Sequence, residues 1–258
     1  MPFPLSIEAP DGVLAGLYSR ELSELSGIET SSPLTLILAS GVVSLAGGSV
    51  RENPVFVDFV GGTLGFRRVY GGGRHSEGVA RACFGRMKAP VIFDGTAGLG
   101  RDAFILAALG ARVHLFERNP VVRLLLRDGL RRGRDSDIPE VREITSAGMR
   151  LEEAPSVIAY NGDVIPDTVY LDPMYPERKK SALVKKEMRI FHELVGQDQD
   201  REEYLKAVLD ADYRKTVMKL PKWADIMHPE RVNTVVATKN HRFVVYASRS
   251  QGKSETGE

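Results

Sequence analysis

The chain has 258 residues, 43% hydrophobic and 27% charged, a composition typical of one large globular domain or of a domain with a small appendage. Its formal net charge of +1 at pH 7 excludes a protein-wide basic field, so any nucleic-acid surface has to be a local patch. The single cysteine excludes an intramolecular disulfide and fits a reducing compartment, so we expect a cytoplasmic protein. The histidines lack metal-ligand spacing, and the apolar runs are too short to span a membrane.

The first 70 residues predict a small α+β unit. Short apolar runs between Gly, Ser and Asn-Pro turns predict strands at residues 35–38, 42–45, 55–59 and 64–67, and a helix is expected within residues 8–25. The glycine triplet at residues 71–73 is interpreted as a hinge into a larger domain. It is not interpreted as a phosphate loop, because no clear strand precedes it and no Lys-Ser or Lys-Thr pair follows.

From about residue 75 the pattern alternates between helices and strands. Helices are predicted at residues 77–87, 102–109, 120–132, 139–147 and 201–209. Strands are predicted at residues 91–93, 112–116, 149–153, 168–171 and 215–220, followed by an antiparallel hairpin at 232–238 and 242–247. This order predicts an α/β fold with a mostly parallel sheet covered on both faces. The polar tail at residues 251–258 is expected to be disordered.

The most informative motif is the apolar run ending at Asp94 and the glycine-rich turn that follows it. Gly98 and Gly100 allow the backbone to approach a ligand closely, and the next predicted strand leads to Glu117. An acid after the second strand of such a unit commonly binds ribose hydroxyls, so we expect an adenosine-type cofactor.

Two acids around the turn discriminate between cofactors. A carboxylate at Asp94 would repel the pyrophosphate of a dinucleotide but suits the cationic methionine end of S-adenosylmethionine (SAM), and Asp102 adds to the same preference. The glycine spacing also differs from the dinucleotide pattern G-x-G-x-x-G. The alternative is structural, with Asp94 capping a turn and Asp102 capping a helix.

A second motif, Asp172-Pro173-Met174-Tyr175, follows the predicted strand at residues 168–171. It resembles the Asp-Pro-Pro-Tyr loop of methyltransferases that act on exocyclic amino groups of bases. Asp172 and the Pro173 carbonyl would accept hydrogen bonds from the amine, and Tyr175 would stack on the base. The alternative is that the prolines shape a turn and that Tyr175 packs in the core.

A basic segment follows this loop directly and is interpreted as an RNA contact, although a solvated helix face is the alternative. The predicted RNA-binding residues are Arg178, Lys179, Lys180, Lys185, Lys186 and Arg189.

With these motifs the chain resembles one family, the bacterial 16S rRNA methyltransferases that modify a guanine N2 near the 3′ end of the RNA. The resemblance covers nearly the whole chain and is carried by residues 57–62, 71–74, 96–104, 117–122, 170–189 and 241–243. One departure is Lys219-Leu220-Pro221, where the family has Lys-Arg-Pro.

The resemblance implies which residues bind SAM. They are Arg101, Asp102, Glu117, Arg118, Asp172 and the turn at Pro155 and Ser156, with Asp163 left open as the alternative to Ser156.

We therefore predict a class I methyltransferase domain over residues 71–250 and a small N-terminal α+β unit over residues 1–70. The expected reaction is methyl transfer from SAM to the N2 of a guanine in 16S rRNA, leaving S-adenosylhomocysteine. The predicted catalytic residues are Asp172, Pro173 and Tyr175, no metal is expected, and the 30S subunit is the expected partner. A nicotinamide-dependent oxidoreductase, a non-catalytic RNA-binding assembly factor and a methyltransferase of DNA or protein glutamine are the alternatives. The modified guanine, the use of naked RNA or of the 30S particle, and the oligomeric state stay open.

Overall fold

The computed structural model describes residues 2–47, 54–61, 73–175, 190, 193–195 and 200–248. Four predictions lie outside these residues: the strand at 64–67, most of the glycine hinge, the basic segment with all six predicted RNA-binding residues, and the disordered tail. The predicted domain boundary near residue 70 also lies there and stays a prediction.

The N-terminal segment forms two small sheets and two short helices. Its elements are β1 (Phe3–Pro4), β2 (Ser6–Glu8), α1 (Gly12–Leu17), α2 (Ser19–Glu24), β3 (Glu29–Thr30), β4 (Leu34–Ala39) and β5 (Val42–Gly47). β1 pairs with β3, and a three-stranded sheet has the order β2-β4-β5. The strands predicted at residues 35–38 and 42–45 are confirmed, whereas the exposed short strands β1 and β2 carried no pattern that predicted them.

The strand predicted at residues 55–59 is wrong. Only Val55 pairs, through an isolated bridge to Leu45. Val57 is buried against a helix instead of a strand, since its side chain lies directly against Gly129 of that helix. The Val57 carbonyl also accepts a hydrogen bond from Arg132 of the same helix, and Asp58 then turns the chain. The alternation of buried residues was real, but a helix surface rather than a sheet covers them.

The remaining chain builds a seven-stranded sheet of order β11-β12-β10-β9-β6-β7-β8. Its strands are β6 (Val91–Asp94), β7 (Arg112–Leu115), β8 (Met149–Leu151), β9 (Thr168–Leu171), β10 (Lys215–Pro221), β11 (Val232–Ala237) and β12 (His241–Ala247). The strands from β10 to β8 run parallel, and β12 pairs antiparallel with both β10 and β11. The predicted α/β fold with a C-terminal antiparallel hairpin is confirmed.

Helices cover both faces of this sheet. They are α3 (Gly78–Phe84), α4 (Arg101–Ala108), α5 (Pro120–Arg134), α6 (Pro139–Glu143) and α7 (Arg201–Asp210). Neighbouring residues of one strand enter different cores: Ile92 packs with α3 to α5, and Phe93 packs with α7. The helix predicted at residues 139–147 continues after α6 as a π-helix, Ile144–Gly148, where buried Thr145 bonds the Val141 carbonyl.

Helix α5 joins the N-terminal sheet to the large sheet. Asn119 caps it by accepting hydrogen bonds from two backbone N–H groups of the first turn, and Pro120 is compatible with that position. Fully buried Asp128 on α5 accepts hydrogen bonds from Tyr18 and from the backbone of Val43. The carboxylate thus ties α5 to two N-terminal elements.

Two negative findings apply to the part of the chain that the structure describes. No helix there is long and apolar enough to cross a membrane. No group of three or more His, Cys, Asp or Glu side chains there could hold a metal ion.

Candidate active site

A cavity of about 990 Å³ lies at the carboxyl ends of the parallel strands. Most of the predicted site residues in the described part of the chain line it: Asp94, Gly98, Arg101, Asp102, Glu117, Arg118, Pro155, Ser156, Asp172, Pro173 and Tyr175. The strand order explains this, because β6, β7, β9 and β10 all end at the same edge of the sheet. Gly100 and Asp163 are not part of the lining.

The glycine turn after β6 depends on backbone conformation. Gly98 has a φ of +53° and Gly100 a φ of +71°, a region that side-chain-bearing residues rarely adopt. A Cβ on Gly100 would also lie 2.9 Å from Leu126 Cδ1. Gly100 therefore shapes the turn and its packing, while Gly98 lies in the cavity wall.

Two backbone N–H groups hold the Glu117 side chain in place. Its carboxylate accepts a hydrogen bond of 2.9 Å from the Gly98 N–H and one of 2.8 Å from the Asn119 N–H. The side chain is 9% exposed, so its orientation is fixed before a ligand arrives. This suits the predicted contact with ribose hydroxyls.

Asp94 ends β6 and is 2% exposed. Burial raises the pKa of Asp94 well above its usual range, and repulsion from Asp102 and Asp172 adds to the shift, while the Thr96 N–H opposes it. Several acids that face one cavity favour a ligand with a positive charge.

Lys219 was not among the predicted site residues, yet it joins the two motifs. Its Nζ donates hydrogen bonds of 2.9 Å to Asp102 Oδ2 and 2.7 Å to Asp172 Oδ2. Burial alone would lower the pKa of Lys219, but attraction to these two carboxylates raises it above its ordinary value. The lysine therefore stays protonated between the glycine turn and the Asp172 loop.

Thr96 and Tyr170 reinforce the same junction. The Asp172 N–H donates a hydrogen bond of 2.6 Å to Thr96 Oγ1, and the Tyr170 hydroxyl donates one of 2.6 Å to Asp102 Oδ2. The loop that follows β9 is therefore positioned directly by the turn that follows β6.

Tyr175 is half-buried, and its ring already has two neighbours. The Arg201 guanidinium carbon lies 5.2 Å from its ring centroid, and the Trp223 ring lies 6.1 Å away at 90°. Its hydroxyl is buried without a hydrogen-bond partner among the described residues, and burial raises its pKa to about 12. Sequence reasoning did not identify either neighbour.

Another part of the cavity wall is less polar. Phe116, Ile158 and the Pro155–Ser156 turn line it. Tyr204 supports this turn from α7, since its hydroxyl donates to the Gly95 carbonyl and accepts from the Val157 N–H. The structure thus brings Ser156, and not exposed Asp163, to the cavity.

The arrangement suits one ligand with an adenosine end and a cationic end. The apolar wall can cover an aromatic ring, buried Glu117 can bind ribose, and Asp94 and Asp102 can face a positive charge. The Asp172 loop then opens onto the cationic end.

Comparisons with known proteins identify the family of this chain. A family model described as "Putative SAM-dependent methyltransferase" matches residues 20–248. A protein of Haemophilus influenzae (strain PittGG) named ribosomal RNA small subunit methyltransferase J is 48% identical over 224 residues, which are 85% of this chain and 86% of the relative. A protein of the same name from Erwinia tasmaniensis is 45% identical over 250 residues, covering 93% of this chain and 94% of the relative.

A solved structure is similar as well. The crystal structure of a SAM-dependent methyltransferase from Neisseria gonorrhoeae superimposes with a TM-score of 0.67 at 28% sequence identity, covering 96% of this chain and 98% of the other. With the family match over most of its length and a cavity suited to a cationic adenosine ligand, the chain belongs to the family of SAM-dependent methyltransferases.

Proposed function

We propose that this protein transfers a methyl group from SAM to the exocyclic N2 of a guanine in 16S rRNA of the small ribosomal subunit. One observation carries the proposal: the ribose-binding type of turn and the Asp172 loop line one cavity and are bonded to each other through Thr96 and Lys219. The names of the curated relatives support the choice of small-subunit rRNA.

When bound, SAM supplies an electrophilic methyl group on a sulfonium. Glu117 would bind the ribose hydroxyls, and the Pro155–Ser156 turn would hold the adenine together with Phe116, all of which line the cavity. Asp94 and Asp102 would face the cationic methionine end. Arg101 and Arg118 also line the cavity and would contact SAM, as the family resemblance implies.

The chemistry of the target amine assigns a role to the Asp172 loop. The lone pair of an exocyclic amine is delocalised into the base, which makes the nitrogen a weak nucleophile. The Asp172 carboxylate and the Pro173 carbonyl would accept hydrogen bonds from the amine hydrogens, which orients the lone pair and stabilises the positive charge that forms on nitrogen. As the nitrogen–carbon bond forms, the carbon–sulfur bond of SAM would break to leave S-adenosylhomocysteine, and the nitrogen would then lose one proton to solvent. Lys219 holds the Asp172 carboxylate in place for this contact.

The target base has to leave its stack to reach Asp172. Tyr175 contacts the base from the loop, and the basic residues between 178 and 189 contact phosphates beside it. We place the protein in the cytoplasm, with the 30S subunit as its partner. DNA and protein glutamine are the other substrates to be tested.

The test incubates the purified protein with methyl-labelled SAM and 30S subunits from a strain lacking the gene, followed by RNA digestion. We expect the label in N2-methylguanosine. Label in another nucleoside, or in DNA or protein offered in parallel, would overturn the proposed substrate.

Two variants test the assignment of residues. Asp172→Ala is expected to lower the rate by about 100-fold or more while the fold, checked by circular dichroism, stays intact. Asp163→Ala removes an exposed carboxylate outside the cavity and serves as the matched control. Glu117→Ala is expected to weaken SAM binding, measured by calorimetry, and an unchanged dissociation constant would contradict its role.

A further inference from the structure

The rim of the cavity carries an exposed aromatic ring that the proposed mechanism does not use. Trp223 follows β10 by two residues, and β10 lies parallel to β9, so its loop stands beside the loop of Asp172. Its ring lies 6.1 Å from the Tyr175 ring, and the residue is 40% exposed. Tyr175 lines the cavity, whereas Trp223 lies outside the lining.

Trp223 is more exposed to solvent than Tyr175. The Tyr175 ring already has the Arg201 guanidinium and the indole as neighbours, and the Tyr175 hydroxyl is buried. The indole thus extends the aromatic surface of the Asp172 loop from the cavity out to solvent. An exposed tryptophan at the mouth of a functional site is a favoured contact for planar ligands.

Adjacent charges match a polynucleotide rather than an apolar partner. Lys222, immediately before Trp223, is exposed, and the Arg201 guanidinium lies over the Tyr175 ring. Base stacking on an aromatic ring combined with a nearby cation is the usual arrangement for single-stranded nucleic acid.

We propose that Trp223 stacks on the nucleobase next to the target guanine and so forms a second base subsite. The target guanine has to enter the cavity to reach Asp172, so the base outside the cavity is its neighbour in the strand. The inference rests on the proposed function, because it requires an RNA substrate with unstacked bases.

Trp223 is the only tryptophan of the chain, which allows a direct observation. The protein is prepared with 7-azatryptophan, which can be excited at wavelengths that ordinary tryptophan in ribosomal proteins does not absorb. We expect unmodified 30S subunits to quench the emission strongly, because stacking brings guanine or another base against the ring. SAM alone is expected to leave the emission nearly unchanged.

Kinetics on 30S subunits provide the second readout. Trp223→Ala is expected to raise the KM for 30S subunits about 10- to 100-fold, the range expected from loss of one base stack. Trp223→Phe should restore most of the loss, whereas Trp223→Leu, which is apolar but not aromatic, should not. Ile165→Ala removes an apolar side chain that is 84% exposed outside the cavity and is the matched control.

The outcomes separate this inference from the proposed function. Quenching by SAM alone, or normal methylation and 30S binding without any quenching, would overturn the second subsite and leave the proposed function intact. Equal loss in the Phe and Ala variants would also overturn stacking. A wild-type protein that neither binds nor methylates 30S subunits would overturn both.

Discussion

Replacing Lys219 with Met removes the charge between Asp102 and Asp172 while keeping most of the apolar length of the side chain. The Nζ lies 2.9 Å from one carboxylate and 2.7 Å from the other, and the lysine side chain is 18% exposed. Opposite charges at such distances attract by about 4 kcal/mol or more at an effective dielectric constant near 20. Because the Asp172 side chain is 36% exposed, solvent screening reduces this to about 1–3 kcal/mol.

The sign of the effect follows from the charges around Asp172. Burial raises the pKa of Asp172, Lys219 opposes that shift, and Asp102 reinforces it. Without the lysine the pKa of Asp172 rises further, because the opposing charge is gone. The amine contact needs the ionised carboxylate, so the acid limb of the rate profile should move to higher pH.

The assay measures initial rates of methyl transfer to 30S subunits at saturating SAM from about pH 5 to pH 9. Lys219→Arg keeps the charge and should keep the acid limb. Lys206→Met breaks an exposed pair with Asp210 on α7 and is the matched control. An acid limb that stays in place in folded Lys219→Met protein would refute the reasoning, and an equal loss at every pH would assign Lys219 a purely structural role.

Three further predictions concern the described residues. Gly100→Ala should lower the free energy of unfolding by about 1–3 kcal/mol in urea titrations, because φ is +71° and the new Cβ would lie 2.9 Å from Leu126 Cδ1; unchanged stability would contradict this strain. Asp128→Ala should lower the free energy of unfolding by about 3–5 kcal/mol, because it leaves two arginines and a backbone N–H without their buried partner. A loss under 1 kcal/mol in the same assay would be incompatible with that network. SAM binding should release protons, since burial raises the pKa of Asp94 and a cationic ligand lowers that pKa. Calorimetry in two buffers of different ionisation enthalpy measures the proton release, and Asp94→Asn should abolish the release.

The central sheet was predictable because its parallel strands form short apolar runs, and helices separate these runs at regular intervals along the chain. Strands β6, β7, β9 and β10 agree with their predicted positions within one or two residues. The prediction failed where a periodic pattern had two explanations, as at residues 55–59, where a helix buries Val57. Periodicity reports which side is buried and not which element covers it.

The candidate site also contains residues that could be predicted from the sequence and one that could not. Asp94, Glu117 and Asp172 were predictable because each lies at or just after the carboxyl end of a strand of a parallel sheet, and such ends converge. Lys219 was not, because its partners lie 117 and 47 positions away along the chain. The sequence did contain a signal, because a lysine near the end of the apolar strand β10 needs a carboxylate partner when it is buried. Only the order of the strands shows which carboxylates are close enough to pair with it.

The position of Lys219 also explains how one cavity serves both ends of the proposed reaction. Methyl transfer moves positive charge from the sulfur of the cofactor to the nitrogen of the base. Asp102 belongs to the cofactor turn and Asp172 to the base loop, and a single ammonium group within 3 Å of both keeps the two carboxylates adjacent despite their repulsion. In the proposed reaction the positive charge would therefore stay close to carboxylates as it passes from sulfur to nitrogen. The two carboxylates would not need to reorient during the transfer, and such preorganisation is the condition for electrostatic stabilisation of a transition state.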